Sequence, residues 1–115
     1  MEVIFDEDGH LRCPVCGNDY THLESLISFE RLEDAETKVV ALTGGVATVV
    51  FDPSFIGSWE GPDGEKRRVS IPSNPSSRRH AFALLIECEN GCLSWLAFAQ
   101  HKGVTEVSVL PAVVQ

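Results

Sequence analysis

Four cysteines in two close pairs constrain the fold of this chain more than any other feature of its sequence. Cys13 and Cys16 lie in a Cys-Pro-Val-Cys-Gly motif, and Cys88 and Cys92 enclose Glu-Asn-Gly near the other end. Four thiolates that converge in a tetrahedron are the ligand set of a structural Zn²⁺ site. We therefore predict that these four cysteines bind one zinc ion and leave no open position for catalysis.

Residues with distinctive backbone preferences accompany both pairs. Pro14 stiffens the first turn, and Gly17 allows the positive φ angle that is needed just after the second cysteine. Asn90 and Gly91 allow a similar turn in the second pair. Each pair therefore contains residues that favour the tight turn of a metal-binding knuckle.

The two pairs are far apart in the sequence. The second and third cysteines are separated by 71 residues, much more than the usual spacing within a zinc ribbon. We expect knuckles near 13–16 and 88–92, joined across an insertion at about 37–80.

The chain has 115 residues, of which 43% are hydrophobic, so we treat 1–115 as a single globular domain.

The sequence leaves two other uses of the cysteines open. A redox dithiol of the thioredoxin type should follow a strand and open a helix, whereas Cys13 lies in a polar, turn-rich segment. Disulfides would require an oxidising compartment. Residues 1–8 have neither the basic start nor the apolar run of a signal peptide, and no segment has the length and apolarity of a membrane span. We expect a cytoplasmic protein that does not bind a membrane.

Most of the chain has the composition and alternation of β-strands. Runs of β-branched residues at 37–42 and 46–52 flank Gly44-Gly45, which predicts a hairpin. Further strands are predicted at 65–71, 81–87, 93–100 and 104–110, with turns at 62–64 and 101–103 and a loop at 72–77. The predicted fold is mainly β: a zinc ribbon whose two cysteine knuckles are joined across an inserted antiparallel β-sheet.

The segment after the first knuckle fits two structures. Residues 21–24, Thr-His-Leu-Glu, match a helix capping box, and the apolar residues that follow recur at helical spacing. Against a helix, Glu30 interrupts the apolar face, and Ile27 and Phe29 suit a strand that leaves the knuckle. We predict a strand from about 23 to 31, with a helix as the alternative.

The charge of the chain is negative and unevenly distributed. The formal net charge is −8; residues 1–63 contain thirteen acidic and three basic residues, and residues 64–115 contain four acidic and six basic ones. A protein with a large negative charge repels the phosphates of nucleic acid. It also lacks the excess of basic residues whose contacts with phosphates release counterions and so drive nucleic-acid binding. Electrostatic steering instead favours a basic protein as the partner.

Two further groups of residues are candidates for recognition. The bases that would carry the alternative function, nucleic-acid binding, are Lys66, Arg67, Arg68, Arg78 and Arg79. Phe55 and Trp59 flank a bend rich in glycine and proline, and they are candidates for binding a protein partner. The simpler interpretation of both groups is structural. The basic residues would then form a solvated strand face, and the aromatic residues would cover the hydrophobic core.

Two histidines are candidates to approach the metal. His22 follows the first knuckle, and His101 lies in a predicted turn. Because four thiolates already complete a tetrahedral site, we expect both histidines to be surface residues or neighbours of the ligands. No Ser-His-Asp or Cys-His order that would indicate a catalytic site stands out.

A resemblance to a known group of proteins rests on the two ends of the chain. Residues 11–23, which include the first cysteine pair, and the second pair followed by Gln-His-Lys-Gly-Val-Thr at 100–105 resemble small zinc-ribbon proteins of unassigned activity from actinobacteria and their bacteriophages. The chain departs from their pattern in having three residues between Cys88 and Cys92. The resemblance implies a four-cysteine zinc ribbon in a cytoplasmic, often phage-encoded protein, and it implies no catalytic residues.

These observations predict a non-enzymatic, zinc-binding adaptor that engages a protein partner, which would be a host factor if the chain is phage-encoded. A zinc ribbon that binds nucleic acid is the alternative. A thiol redox enzyme is the third hypothesis.

Overall fold

The computed structural model describes residues 4–31, 36–43, 45–50, 55–60, 66–76 and 79–113, with the backbone alone at 4, 55–60 and 66–68. Within these residues the fold is mainly β, as predicted, and contains no helix. The strands are β1 (Ile4–Phe5), β2 (Leu11–Arg12), β3 (Thr21–Glu30), β4 (Lys38–Thr43), β5 (Val46–Val50), β6 (Phe55–Glu60), β7 (Lys66–Ser70), β8 (Ala81–Cys88), β9 (Leu93–His101) and β10 (Val104–Pro111). A search of the described residues for a helix able to cross a bilayer finds none.

Six of the strands form one antiparallel sheet in the order β10-β9-β8-β3-β4-β5. The pairs β1–β2 and β6–β7 form two separate two-stranded sheets. The predicted antiparallel sheet is therefore present, but its centre is not an insertion. The strand that leaves the first knuckle, β3, and the strand that enters the second, β8, are neighbours at its centre. The segment 37–80 adds β4 and β5 at one edge and the β6–β7 pair.

The segment after the first knuckle is a strand, and the helical alternative is wrong. The register of β3 against β8 shifts between Leu23 and Ser25, so that Glu24 is an extra, bulged residue. A bulge breaks the strict alternation of a strand. This single irregularity explains why the apolar residues on either side of Glu24 fall at a spacing that resembles a helix.

Two tight turns were predicted correctly. Thr43 pairs with Val46, so β4 and β5 are joined by a two-residue loop in which Gly45 has a φ of 79°. His101 pairs with Val104, and the intervening Lys102 and Gly103 have φ angles of 49° and 83°. Positive φ at both positions is the conformation of a type I′ hairpin turn, which matches the right-handed twist of the strands. The turn predicted at 62–64 lies outside the described residues.

The main core covers one face of the six-stranded sheet. Its buried residues come from β3, β4, β8 and β9 and from the chain at and after β7, and they are Ile27, Phe29, Val39, Ala41, Val69, Ile71, Ala81, Ala83, Leu85, Trp95 and Ala99. Trp95 was predicted to lie in the core, and it is 1% exposed. A smaller cluster on the opposite face joins Ile86, Leu96 and Val109 to Leu11 of β2. This second cluster packs the chain before the first knuckle onto the sheet.

The Leu85→Ala variant tests the assignment of the main core. Leu85 lies on the central strand β8 and is 0% exposed, so its truncation should lower the free energy of unfolding by about 2–5 kcal/mol through lost burial and a residual cavity. The matched control is Val104→Ala on the edge strand β10, where the side chain is exposed and the expected change is within about 0.5 kcal/mol. Urea denaturation of the metal-loaded proteins measures both values, and equal effects would contradict this core.

Candidate metal centre

The first knuckle is a tight turn between β2 and β3. Its backbone is held by two hydrogen bonds: the Cys13 N–H donates to the Asn18 carbonyl at 2.9 Å, and the Gly17 N–H donates to the Cys13 carbonyl at 2.8 Å. Gly17 has a φ of 76°, a left-handed conformation that favours glycine. The prediction for Gly17 is confirmed, and the turn aims Cys13 and Cys16 to the same side.

The second knuckle is the connection between β8 and β9. The Cys88 N–H donates to the Cys92 carbonyl at 3.1 Å, and the Gly91 N–H donates to the Cys88 carbonyl at 2.9 Å. Gly91 has a φ of 81°. The three-residue gap between the cysteines therefore still closes as a compact turn, which brings the side chains of Cys88 and Cys92 together.

Pairing of β3 with β8 brings the two knuckles to the same end of the sheet. Thr21, just after the first knuckle, lies directly opposite Cys88 in the register. The Glu89 N–H also donates to the Tyr20 carbonyl at 3.1 Å. The Thr21 hydroxyl donates to the Leu11 carbonyl at 3.2 Å, which ties β2 to the same place. Backbone hydrogen bonds thus position both cysteine pairs.

The four cysteine sulfurs form one cluster. All four Sγ atoms lie within 4.8 Å of one another, and the Sγ atoms of Cys16 and Cys88 are 3.6 Å apart. A metal with about 2.3 Å bonds to four thiolates at tetrahedral angles separates the sulfurs by about 3.8 Å. All four are free cysteines. The arrangement is compatible with a metal ion bound by Cys13, Cys16, Cys88 and Cys92.

The cluster is buried on one side and open on the other. Cys13 and Cys88 are each 1% exposed, Cys92 is half-buried and Cys16 is exposed. Burial of two sulfurs protects their bonds to a metal from exchange with solvent, whereas the open side gives an ion a path of entry. All four sulfurs would be used as ligands, so no coordination position is left for a substrate.

Local interactions give the thiols different pKa values. The side-chain amide of Asn90, whose Nδ2 lies 3.5 Å from Sγ of Cys16, and the backbone N–H of Asn18 lower the pKa of Cys16 to about 6. Burial, followed by hydrogen bonds with the Cys88 and Cys16 sulfurs, raises the pKa of Cys92 to about 12. Burial also raises the pKa of Cys13. Cys16 therefore ionises before Cys13 and Cys92, and a metal must displace the protons of those two thiols.

Neither candidate histidine belongs to the cluster. Nε2 of His22 is 2.7 Å from Oε1 of Glu89, so His22 pairs with a carboxylate of the second knuckle. His101 ends β9 at the other end of the sheet, about 27 Å from Leu93 for a rise of about 3.4 Å per residue. His22 is a neighbour of the cysteine site, and His101 is remote from it.

A second group of metal-binding residue types, Asp6, Asp8 and His10, lies in the turn between β1 and β2. Oδ1 of Asp6 accepts hydrogen bonds from the N–H groups of Asp8 at 2.9 Å and His10 at 2.8 Å. These bonds, led by that from His10, lower the pKa of Asp6. The arrangement is an Asx-type turn that closes the short hairpin.

The candidate recognition residues lie on the β6–β7 pair, in the segment before β8, or outside the described residues. Lys66, Arg67 and Arg68 belong to β7, where Arg67 is directly opposite Trp59 of β6 in the register. Their side chains, like that of Phe55, lie outside the description, and Arg78 is not among the described residues. Arg79 is exposed in the segment before β8.

The sequence alone identified the four cysteine ligands but not the polar residues that lie beside them in the structure. Asn90 was recognised for its turn preference, but its hydrogen bond to Sγ of Cys16 links residues 74 positions apart. Glu89, which holds His22, is a further residue of this kind. The sequence did contain one indication that these residues lie near the site, since both are between the two cysteines of the second pair.

Comparisons with known proteins give no match: no family model, no curated protein and no solved structure matches this chain.

The Cys88→Ser variant tests the metal centre. Because Cys88 is buried and contributes one of four ligands, its loss should abolish stoichiometric metal and lower the free energy of unfolding by several kcal/mol, roughly 3 or more. Elemental analysis and thermal unfolding in matched buffer measure the two effects. The control is Ala83→Ser, which introduces a hydroxyl at another buried position of β8 and should keep the metal. Metal retained by Cys88→Ser, or lost equally by the control, would exclude this site.

The Glu89→Gln variant tests the contact beside the site. The hydrogen bond and the charge of Glu89 raise the pKa of His22 above 6.5, so the pair stabilises the fold fully below about pH 6.5, and this contribution is lost as the pH rises through the folded-state pKa. Removing the carboxylate charge should lower the pKa of His22. Titration of the His22 ring protons by NMR measures the shift, with His101 as the internal control. An unchanged His22 titration would contradict the pairing.

Proposed function

We propose that the four cysteines hold a structural Zn²⁺ ion and that the zinc ribbon so formed is a non-enzymatic adaptor for a protein partner. The observation that supports the metal is the convergence of all four sulfurs within 4.8 Å. Tetrahedral sets of four thiolates select zinc or iron–sulfur centres. Sulfurs this close leave room for one ion and no room for the iron and sulfide atoms of a cluster.

The identity of the ion has a direct test. Protein purified without added metal should contain one zinc per chain by elemental analysis and should show no visible absorption band. One iron per chain, with the colour of iron–thiolate charge transfer, would replace zinc in this proposal. Absence of any stoichiometric metal in protein purified under reducing conditions would overturn it.

Zinc would act here by joining parts of the chain that are distant in sequence. It ties the turn before β3 to the turn between β8 and β9, and both turns are already aligned by backbone hydrogen bonds. Four protein ligands leave no site for a metal-bound water, so the ion would have a structural role. This is the physical basis for proposing a binding protein in preference to an enzyme.

The surface around the two knuckles has the composition of a protein-binding site. We call it the metal end, and it consists of Val15, Asp19, Tyr20, Glu24 and Glu89, all of which are exposed. Tyrosine is enriched in the centres of protein interfaces, where its ring buries apolar area and its hydroxyl forms hydrogen bonds. Two of its carboxylates, Asp19 and Glu89, lie 3.0 Å and 2.7 Å from Arg12 and His22, which shows that this surface attracts basic groups. A partner that carries basic residues would use the same attraction.

The proposed partner is therefore a basic protein. The net charge of −8 steers positively charged molecules toward the chain and slows the approach of acidic ones. If the chain is cytoplasmic and phage-encoded, as the resemblance of its two ends implies, the partner would be a host protein. Phe55 and Trp59 remain candidate contacts on β6.

Charge reversal at the metal end tests the partner-binding proposal. The double variant Glu24→Lys, Glu89→Lys should reduce capture of partner protein from native-cell lysate by at least about tenfold, because it replaces attraction by repulsion. Glu30→Lys, Glu106→Lys has the same net charge change and lies on β3 and β10 away from the knuckles, so it is the matched control. Quantitative mass spectrometry of the captured proteins measures the difference. Equal loss with both variants would show non-specific charge attraction and contradict a site at the metal end.

The alternative, nucleic-acid binding, is favoured by one observation. Arg67 and Trp59 are opposite each other on the β6–β7 pair, and basic residues beside aromatic ones are typical of surfaces that bind single-stranded nucleic acid. We predict that affinity for DNA or RNA at physiological salt is weaker than about 10⁻⁶ M, as in ordinary non-specific binding. Fluorescence anisotropy with labelled oligonucleotides measures it. Sub-micromolar binding that is lost on replacing Arg67, Arg68, Arg78 and Arg79 would support the alternative and reject the adaptor.

A further inference from the structure

Two sulfurs from different knuckles lie in contact within the cysteine cluster. Sγ of Cys16 and Sγ of Cys88 are 3.6 Å apart, although the two residues are 72 positions apart in the sequence. Cys16 is exposed, whereas Cys88, at the end of β8, is only 1% exposed. A small molecule in solution therefore meets Cys16 first, and the sulfur of Cys88 lies beneath it.

This contact has the arrangement of a reactive thiol and a resolving thiol. A disulfide joins its sulfurs at about 2.05 Å, so the pair needs to close by about 1.5 Å. Cys88 is held by the pairing of its strand with Thr21 and by the hydrogen bond from its N–H to the Cys92 carbonyl. Rotation of the exposed Cys16 side chain about its Cα–Cβ bond is the movement that closes the distance without a change in the sheet.

We propose that a hydroperoxide converts Cys16 and Cys88 of the metal-free chain into a reversible disulfide, and that this disulfide and the bound metal ion exclude each other. The cysteine cluster is then a redox switch with two alternative cross-links. The switch rests on the metal site of the proposed function and adds a regulation of that site, and it does not depend on the protein partner.

The oxidation takes two steps, and both conserve atoms and electrons. The Cys16 sulfur attacks one oxygen of the hydroperoxide, so that an S–O bond forms, the O–O bond breaks, and the other oxygen leaves with the thiol proton as water or an alcohol. The Cys88 sulfur then attacks the sulfenic acid, so that an S–S bond forms, the S–O bond breaks, and the hydroxyl leaves with the second thiol proton as water. Two electrons pass from the two sulfurs to the peroxide. A dithiol reverses the oxidation by thiol–disulfide exchange and is itself oxidised to a disulfide.

Each state of the switch blocks the other. A metal binds thiolates, and the sulfurs of a disulfide are no longer thiolates. Oxidation therefore leaves only Cys13 and Cys92 as thiol ligands, which is half of a tetrahedral set. In a loaded site, all four sulfurs are bonded to the ion and are separated by about 3.8 Å. The ion therefore protects the pair from oxidation.

The choice of these two cysteines decides what oxidation does to the fold. Cys16 is in the turn before β3 and Cys88 ends β8, so a bond between them ties the same two knuckles that the metal ties. Its ends are 72 positions apart, and cross-links over long loops remove the most entropy from the unfolded chain. A disulfide within one knuckle, Cys13–Cys16 or Cys88–Cys92, would close only a short loop. The oxidised chain therefore keeps β3 and β8 together while it loses the metal.

Peptide mapping of the oxidised chain tests the pairing. The full-length chain is stripped of metal by a chelator under reductant and is then treated with stoichiometric hydrogen peroxide. Fragmentation mass spectrometry should find Cys16–Cys88 as the main linkage, and the oxidised chain should lose stoichiometric zinc binding until dithiothreitol restores it. It should also melt at least about 5 °C above the reduced, metal-free chain. The zinc-loaded chain should oxidise at least about tenfold more slowly than the metal-free one.

Two double variants provide matched controls, because each keeps one sulfur in each knuckle and removes two metal ligands. Cys13→Ala, Cys92→Ala retains the proposed pair and should lose its free thiols to peroxide within about threefold of the rate of the metal-free parent. Cys16→Ala, Cys88→Ala should react at least about tenfold more slowly, because its remaining thiols are buried and half-buried. Circular dichroism identifies a variant that does not fold, and the mapping of the parent chain decides without it.

A main linkage within either knuckle, or equal oxidation rates of the two folded double variants, would overturn the switch and leave the metal site unaffected. Stoichiometric zinc in the chain that carries the Cys16–Cys88 disulfide would have the same consequence. A reduced chain that binds no metal would instead overturn the metal site, and the switch with it.

Discussion

Antiparallel pairing between β3 and β8 is the interaction on which the rest of this structure depends. It aligns Thr21 with Cys88 and places two strands that are distant in sequence at the centre of one sheet. The same pairing brings the two cysteine turns to one end, where the Glu89 N–H bonds to the Tyr20 carbonyl. Since long-range pairing must overcome the entropy of closing a long loop, additional cross-links at this point stabilise the fold effectively. A bound ion at the four sulfurs would be such a cross-link.

The metal centre combines a rigid backbone with thiols of unequal acidity. Hydrogen bonds within each turn fix the positions of the sulfurs, so an ion would enter a site that is already arranged. Asn90 lowers the pKa of Cys16 to about 6, and burial raises that of Cys92 to about 12. An exposed thiol of low pKa is also a reactive one. Metal binding would remove that reactivity, which is a physical reason to prefer a zinc site over the thiol redox hypothesis for this arrangement.

The two faces of the sheet are chemically different. One is covered by Val69, Ile71 and the rest of the main core, whereas the other leaves Leu42, Val49, Phe82 and Val107 exposed. The carboxylates of the metal end form a third kind of surface. Burial of apolar area is insensitive to charge and drives association of like surfaces, while electrostatic attraction selects partners of opposite charge. One small sheet therefore presents an apolar surface and an acidic surface at separate places.

The sequence by itself determined the local features of this protein. The cysteine pairs, the turns at Gly17, Gly45 and Gly103, and most strand positions follow from backbone preferences and side-chain alternation, which are properties of neighbouring residues. The tertiary structure decided which strands pair, that Glu24 is a bulge, and that Asn90 bonds to Cys16. It also decided that His101 lies far from the cysteines and that one sheet face stays open. These features depend on contacts between residues many positions apart, and no local pattern records which distant strand a given strand will meet.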